Sequence, residues 1–200
     1  MDKSKKQEII NACMVEFSKH GYEKANTNTI CEQAGVSKGL LFHYFGSKKS
    51  LYILVIEKCI EDTANSIKDI NVDNMDFLKA MLWYSQVKWE FFTVNPLHYN
   101  LLTQAFFNTP EDVKEHLKKR YAELTTIGAA KINELIDKLD LKEGVLKENA
   151  LQLILAVSGI IEKKHSALIT KSNSMDNMLL ETIKKDYIEL IKMVLYGISN

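Results

Sequence analysis

The chain has 200 residues, 46 % of them hydrophobic and 26 % charged, with only eight glycines and two prolines. So few turn residues exclude a many-turned β fold and favour long helices around a sizeable core, in one large domain or a small one fused to a medium one. The formal net charge is zero, yet residues 1–50 hold eight lysines against five acids, a local excess of +3 that the remaining residues cancel.

A mildly basic head on an acidic body can still meet phosphate, because the local field governs contact. No apolar run reaches the length needed to cross a bilayer, and the segment after Met1 is amphipathic, so neither a membrane partner nor a secretory leader is expected. Cys13, Cys31 and Cys59 are odd in number, widely spaced and set among apolar residues. They suit neither a disulfide framework nor a zinc cluster, which points to a reducing cytoplasm and to no metal or cofactor.

In chain order, Ile9, Ile10, Cys13 and Phe17 give one buried face to a first helix from about Ser4 to His20, and Gly21 supplies a left-handed stop. Asn26 and Thr27 cap a short second helix ending at Ala34. Gly35-Val36 turns the chain, and Ser37 caps a third short helix that ends at Tyr44-Phe45. Gly46 breaks it, and Ser47 caps a fourth helix to about Ile70, roughly 36 Å long at about 1.5 Å per residue. Asp73 or Asn74 caps a helix over 75–92. Asn95-Pro96 opens another over 96–107, and Thr109-Pro110 repeats that signal for a helix reaching Leu139. Gly144 precedes a helix over 147–171, and Ser174 caps a last one over 175–196. The expected fold class is all-α: an N-terminal three-helix helix-turn-helix head (1–46) joined by a long helix (47–70) to a C-terminal helical bundle (71–200).

The stretch from Ile30 to Phe45 carries the chemistry. Ile30 and Ala34 share one face of the second helix, Gly35 supplies the positive φ of the turn, and Val36 and Leu41 plug the angle between the helices. Lys38, Gly39, Leu40, Phe42, His43 and Tyr44 are left around the rest of the third helix. A short helix with polar and aromatic tips suits insertion into a major groove, and the N-termini at Thr27 and Ser37 turn N–H groups toward phosphates.

Over residues 8–55 the sequence resembles the TetR/AcrR family of bacterial one-component regulators. The resemblance rests on Ile9-Ile10, Ala12, Phe17, Gly21-Tyr22, Thr27, Ile30, Ala34-Gly35-Val36-Ser37-Lys38-Gly39, His43-Tyr44-Phe45, Ser47-Lys48 and Leu51. It implies that Thr27, Ser37, Tyr44 and Lys48 touch phosphates, while Lys38, Gly39, Leu40 and His43 lie at or near base edges. Phe42 stands where the family often has tyrosine and forfeits that hydroxyl. Leu40 replaces a small or polar residue and favours apolar contact with a thymine methyl.

The bundle is rich in large apolar side chains beside methionines, a composition that serves equally as plain core or as an adaptable pocket. The resemblance places such a pocket among the helices at 75–92, 96–107, 110–139 and 147–171. Its candidate lining is Phe77, Met81, Tyr84, Phe91, Tyr99, Phe106, Tyr121 and Glu162. His98, Asn100, Gln104, His116 and His165 are further polar groups, each expected to be exposed. The resemblance also implies a four-helix dimer interface from the last two helices, with Leu155, Gly159, Ile183, Tyr187, Leu190, Ile191 and Val194 as its candidates; the second stripe also reads as core.

The expected function is that of a homodimeric repressor, released from palindromic double-stranded operator DNA by an apolar small-molecule effector. A dimer without an effector is the first alternative. An enzyme using the aromatic cavity is the second, and for it the sequence offers no nucleophile–base or metal constellation.

Overall fold

The computed structural model describes residues 2–172 and 177–197, without the side chains of residues 162, 166–172, 177 and 180. Among the described residues the secondary structure is entirely helical. The expected cap Ser174 lies outside the described residues.

Helix α1 (Lys3–Lys24) buries Ile9, Cys13 and Phe17 completely, as their spacing requires. Gly21 interrupts it with φ 69° and ψ 173°, a region open to glycine, so the helix kinks there and resumes for one short turn. The expected stop is thus a break in direction and not the end of the element. Helix α2 (Thr27–Ala34) is capped by Asn26, whose side chain accepts the Asn28 N–H at 2.9 Å, and Gly35 closes it at φ 59°, ψ 43°. Helix α3 (Lys38–Phe45) starts on Ser37, whose Oγ accepts the Leu40 N–H at 3.2 Å. Helix α4 (Lys48–Ile67) starts on Ser47 in the same way, with the Ser50 N–H at 3.1 Å.

Beyond α4 the boundaries shift for local reasons. Helix α5 spans Phe77–Val94 and is capped by Asp76, which accepts the Lys79 N–H at 2.8 Å. Neither expected cap serves, because Asp73 instead donates its own N–H to Asn71 Oδ1 at 2.9 Å in a side-chain turn. Helix α6 (Pro96–Phe107) has proline in its first turn as expected. A single 3₁₀ turn (Glu111–Val113) leads into α7 (Lys114–Ile136). α7 ends short of Leu139 because the Lys138 and Leu139 N–H groups tighten onto the Leu135 and Ile136 carbonyls. Helices α8 (Lys147–Ser172) and α9 (Asn177–Tyr196) complete the order.

The chain divides into two compact units, residues 1–65 with 95–121, and residues 66–94 with 122–200. In the first, Phe17 and Tyr22 converge on Tyr52 of α4, each ring centroid 5.0 Å from that of Tyr52. This unit also takes in α6, whose Gln104 Nε2 donates to the Ser18 carbonyl at 3.0 Å. The expected boundaries at 46 and 71 are therefore not those of the compact units. A three-helix head this small buries too little apolar surface alone, and α4 and α6 enlarge its core. The second unit has its own core, with Phe77 and Met81 of α5 packed among Ile136, Ile154, Tyr187 and Ile191.

Candidate nucleic-acid interface

The third helix is anchored through one side chain and otherwise open. Leu41 is completely buried, whereas Lys38, Gly39, Leu40, His43 and Tyr44 are exposed and Val36 and Phe42 half-buried. Leu40 and Tyr44 stand out as large apolar-bodied side chains left 39 % and 46 % exposed. His43 and Tyr44 meet edge to face at 5.1 Å, which orders both rings. At Gly39 nothing lies within 4 Å of where a Cβ would stand, so the backbone there is free to approach another molecule closely.

Helix α2 is held from three sides, at its turn into α3 and twice against α1. Gly35 makes the left-handed turn, and its N–H donates to the Glu32 carbonyl while the Val36 N–H donates to the Cys31 carbonyl, closing the corner. Lys5 reaches from α1 to the Ala34 carbonyl at 3.3 Å while pairing with Glu8 at 2.6 Å. This lysine is a tie between α1 and α2. Glu16, only 4 % exposed, accepts the Asn26 N–H at 2.7 Å and so holds the start of α2 against α1. Sequence periodicity marks Glu16 as an interruption of the apolar face; only the fold shows that its acceptor is matched to a backbone donor.

Lys48 is half-buried at the first turn of α4. Its Nζ donates to the Glu23 carbonyl at 3.0 Å and lies 5.2 Å from the centroid of the Tyr22 ring. Thr27, also half-buried, stands in the first turn of α2. Lys6, Tyr44, Phe45, Ser50 and Leu54 line an open cleft of about 430 Å³ beside the reading helix. The expected DNA-facing residues thus lie on the first turns of α2, α3 and α4 and along the exposed side of α3.

The bundle candidates fall into two groups. Phe77 and Met81 belong to the buried core of the second unit, with Tyr84 packed against it; Phe91, on the same helix, meets Phe92 edge to face at 5.6 Å. Tyr99, Phe106 and Tyr121 belong to the first unit, where the Phe106 and Tyr121 rings lie 5.2 Å apart. The side chain of Glu162 lies outside the described residues. Of the further polar groups expected to be exposed, His116 is; Asn100, Gln104 and His98 are half-buried and His165 is buried. His98 Nε2 sits 3.1 Å from Asp62, and His165 is fully buried 3.0 Å from Asp186. Burial pushes the His165 pKa down, against the pull of Asp186.

The stripe on α9 also turns out differently. Ile183, Tyr187 and Ile191 are buried in the second unit, and Leu190 and Val194 pack against the same core. The large apolar side chains left exposed on α8 and α9 are others: Leu153 and Ile160 on α8, and Met178, Met193 and Tyr196 on α9. Gly159 lies beside Ile160 with open space above it, and Leu155 is half-buried. The stripe was legible, but its partner within the chain was not.

Among the described residues no group of His, Cys, Asp and Glu could hold a metal, and no helix is long and apolar enough to cross a membrane. The three cysteines are buried and unpaired, with the Cys13 and Cys59 thiols pushed up by burial to about 12.

Residues on the open side of the short helix α3, capped at a serine and wedged by one leucine, define a helix-turn-helix DNA-binding transcription regulator. Residues 9–55 match the model of bacterial regulatory proteins of the tetR family, and the head of this chain is a tetR-type head. It is 27 % identical over 151 residues to IcaR of Staphylococcus aureus, the negative transcriptional regulator of the biofilm operon icaADBC, covering 75 % of this chain and 78 % of IcaR. The fold matches a TetR-like regulator from Rhodococcus sp. RHA1 with a TM-score of 0.77 at 13 % identity, over 99 % of this chain and 100 % of the other. It also matches Bacillus subtilis FadR, solved with stearoyl-CoA, with a TM-score of 0.70 at 17 % identity, over 97 % and 100 %.

Proposed function

We propose that the chain works as a homodimeric repressor that reads a palindromic operator with α3 of each head and is released by an apolar small molecule. The observation that carries the reading is the exposed face of α3, where Lys38, Gly39, Leu40, His43 and Tyr44 are open to solvent while Leu41 locks the helix from behind. Lys38 and His43 supply polar tips for base edges, and Leu40 an apolar contact for a thymine methyl. Thr27, Ser37, Tyr44 and Lys48 flank them at helix starts and provide the phosphate contacts.

One such helix reads too few base pairs for specificity, which favours a pair of heads on two half-sites. The exposed apolar side chains of α8 and α9, with open Gly159 among them, form the surface best suited to a second copy. Repression is favoured because IcaR is a negative regulator. An apolar effector is favoured by the aromatic content of α5 and α6, by Met81 of α5 and by the stearoyl-CoA held in FadR. Release follows by population shift: the effector binds better to a dimer whose head spacing does not match successive major grooves, so effector and operator weaken each other reciprocally.

The test is selection of binding sites from a random duplex library by the full-length protein. The expected product is a palindrome with half-sites about one or two helical turns apart. Enrichment of a single asymmetric half-site would remove the dimeric reading, and no enrichment at all would remove the operator.

A further inference from the structure

One set of contacts runs from the DNA-facing edge of the head to a residue far along the chain. Lys48 Nζ stands over the Tyr22 ring, 5.2 Å from its centroid, and is held on its other side by the Glu23 carbonyl at 3.0 Å. The Tyr22 ring is 7 % exposed and its hydroxyl donates to Asp112 Oδ2 at 3.0 Å. Asp112 belongs to the 3₁₀ turn between α6 and α7, ninety residues away in sequence but in the same compact unit. Burial first, and then the hydrogen bond to Asp112, push the Tyr22 hydroxyl up to about 12, so it remains the donor of that bond.

We propose that Asp112, through Tyr22, is a positioning residue for DNA binding: it sets the ring on which the Lys48 ammonium is seated. Two of the three ammonium donor directions are occupied, by the Glu23 carbonyl and the ring face, and the third is left for a phosphate oxygen. The side chain is therefore held in one arrangement before DNA arrives, and less rotamer freedom is lost on binding. Rotation of the ring removes the seat and returns the lysine to a flexible surface cation. A residue outside the helix-turn-helix thereby adjusts one of its backbone contacts. The inference rests on the reading that Lys48 meets a phosphate.

The sign of the effect separates positioning from bulk electrostatics. Removing an acid from a DNA-binding protein strengthens nonspecific association, because a repulsive charge is lost. Positioning predicts the opposite for Asp112→Ala.

The probe is a fluorescently labelled mixed-sequence duplex of about three helical turns, titrated with full-length protein at several salt concentrations. Asp112→Ala and Tyr22→Phe are each expected to weaken binding roughly threefold, the reach of one lost hydrogen bond. Asp112→Asn, which keeps an acceptor for the tyrosine, is expected to bind at least as well as the parent. Lys48→Ala is expected to weaken binding further and to lower the salt slope by about 0.9, the share of one phosphate. In the Lys48→Ala background, Asp112→Ala is expected to have no further weakening effect.

Tighter binding by Asp112→Ala, or the same threefold loss with and without Lys48, overturns the inference. If Lys48→Ala itself leaves both affinity and slope unchanged, the phosphate reading of Lys48 fails and the inference fails with it. Helicity and thermal midpoint are measured alongside, and Tyr22→Phe, which changes no charge and keeps the ring, guards against a folding defect in the alanine variant.

Discussion

Glu16 occupies a position that the apolar pattern of α1 would give to a hydrophobe, and its carboxylate accepts the N–H that starts α2. Replacing it by alanine strands that donor in a part-buried site, and the expected loss is about 1–3 kcal/mol of head stability. Urea unfolding checks this; an unchanged midpoint would mean water satisfies the donor equally well. Leu40 belongs to the opposite category, an apolar side chain exposed without internal benefit. Leu40→Ala is expected to leave stability within about 0.5 kcal/mol of the parent. It is also expected to relax the preference for thymine at one position of each half-site, read from the selected sequences. The turn at Gly35 and the cap at Ser37 were legible from sequence because each depends on its own neighbours. The Tyr22–Asp112 and Gln104–Ser18 contacts were not, since nothing local in a sequence reports a partner more than eighty residues away.

At the scale of elements, α4 is fixed within the first unit by two charged groups. Asp62 takes Lys58 at 2.6 Å and His98 of α6 at 3.1 Å, and Glu57 takes Arg120 of α7 at 2.9 Å. Burial raises the Asp62 carboxyl, but the hydrogen bonds from Lys58 and His98 outweigh it and leave its pKa below the ordinary value. A depressed carboxylate contributes stability that is present at neutral pH and lost as pH falls through the ordinary carboxylate range. Asp62→Asn is therefore expected to flatten the acid limb of the stability curve and to lower stability at neutral pH, as followed by urea midpoints from neutral to acid.

Helix order was legible throughout, because caps and period are local signals. The start of α5 was missed because three acid or amide side chains compete there and the turn takes Asp73 out of the contest. The partner of the α9 stripe was missed because a buried stripe looks the same whether α5 or a second copy covers it. Ile191→Ala is expected to cost about 2–5 kcal/mol of stability without changing the assembly state, while Ile160→Glu is expected to split the dimer and leave the fold intact. Sedimentation paired with unfolding curves separates the two; a dimer that survives Ile160→Glu would move the interface elsewhere.

At the scale of the whole molecule, zero net charge conceals a division of labour. The first 50 residues carry the basic excess, and the rest carries the acidic balance. A local excess of only +3 implies weak nonspecific association, so in the dimeric reading proposed above specific binding depends on the fit of two heads to two half-sites. The family and the head could be read from 47 residues, because the turn, the caps and the reading helix demand particular residue types in order. The bundle could be read only as helices: aromatic and methionine side chains satisfy core and pocket alike, so sequence does not distinguish a cavity wall from a packed interior.

The central claim, that the exposed face of α3 binds DNA through Lys38 and Tyr44, is tested by the affinity of the Lys38→Ala, Tyr44→Ala double variant for the selected operator. Fluorescence anisotropy is measured alongside helicity and assembly state. The account predicts at least a tenfold loss, about 1.4 kcal/mol or more, with helicity and dimerisation unchanged. Parental affinity in that variant would contradict it.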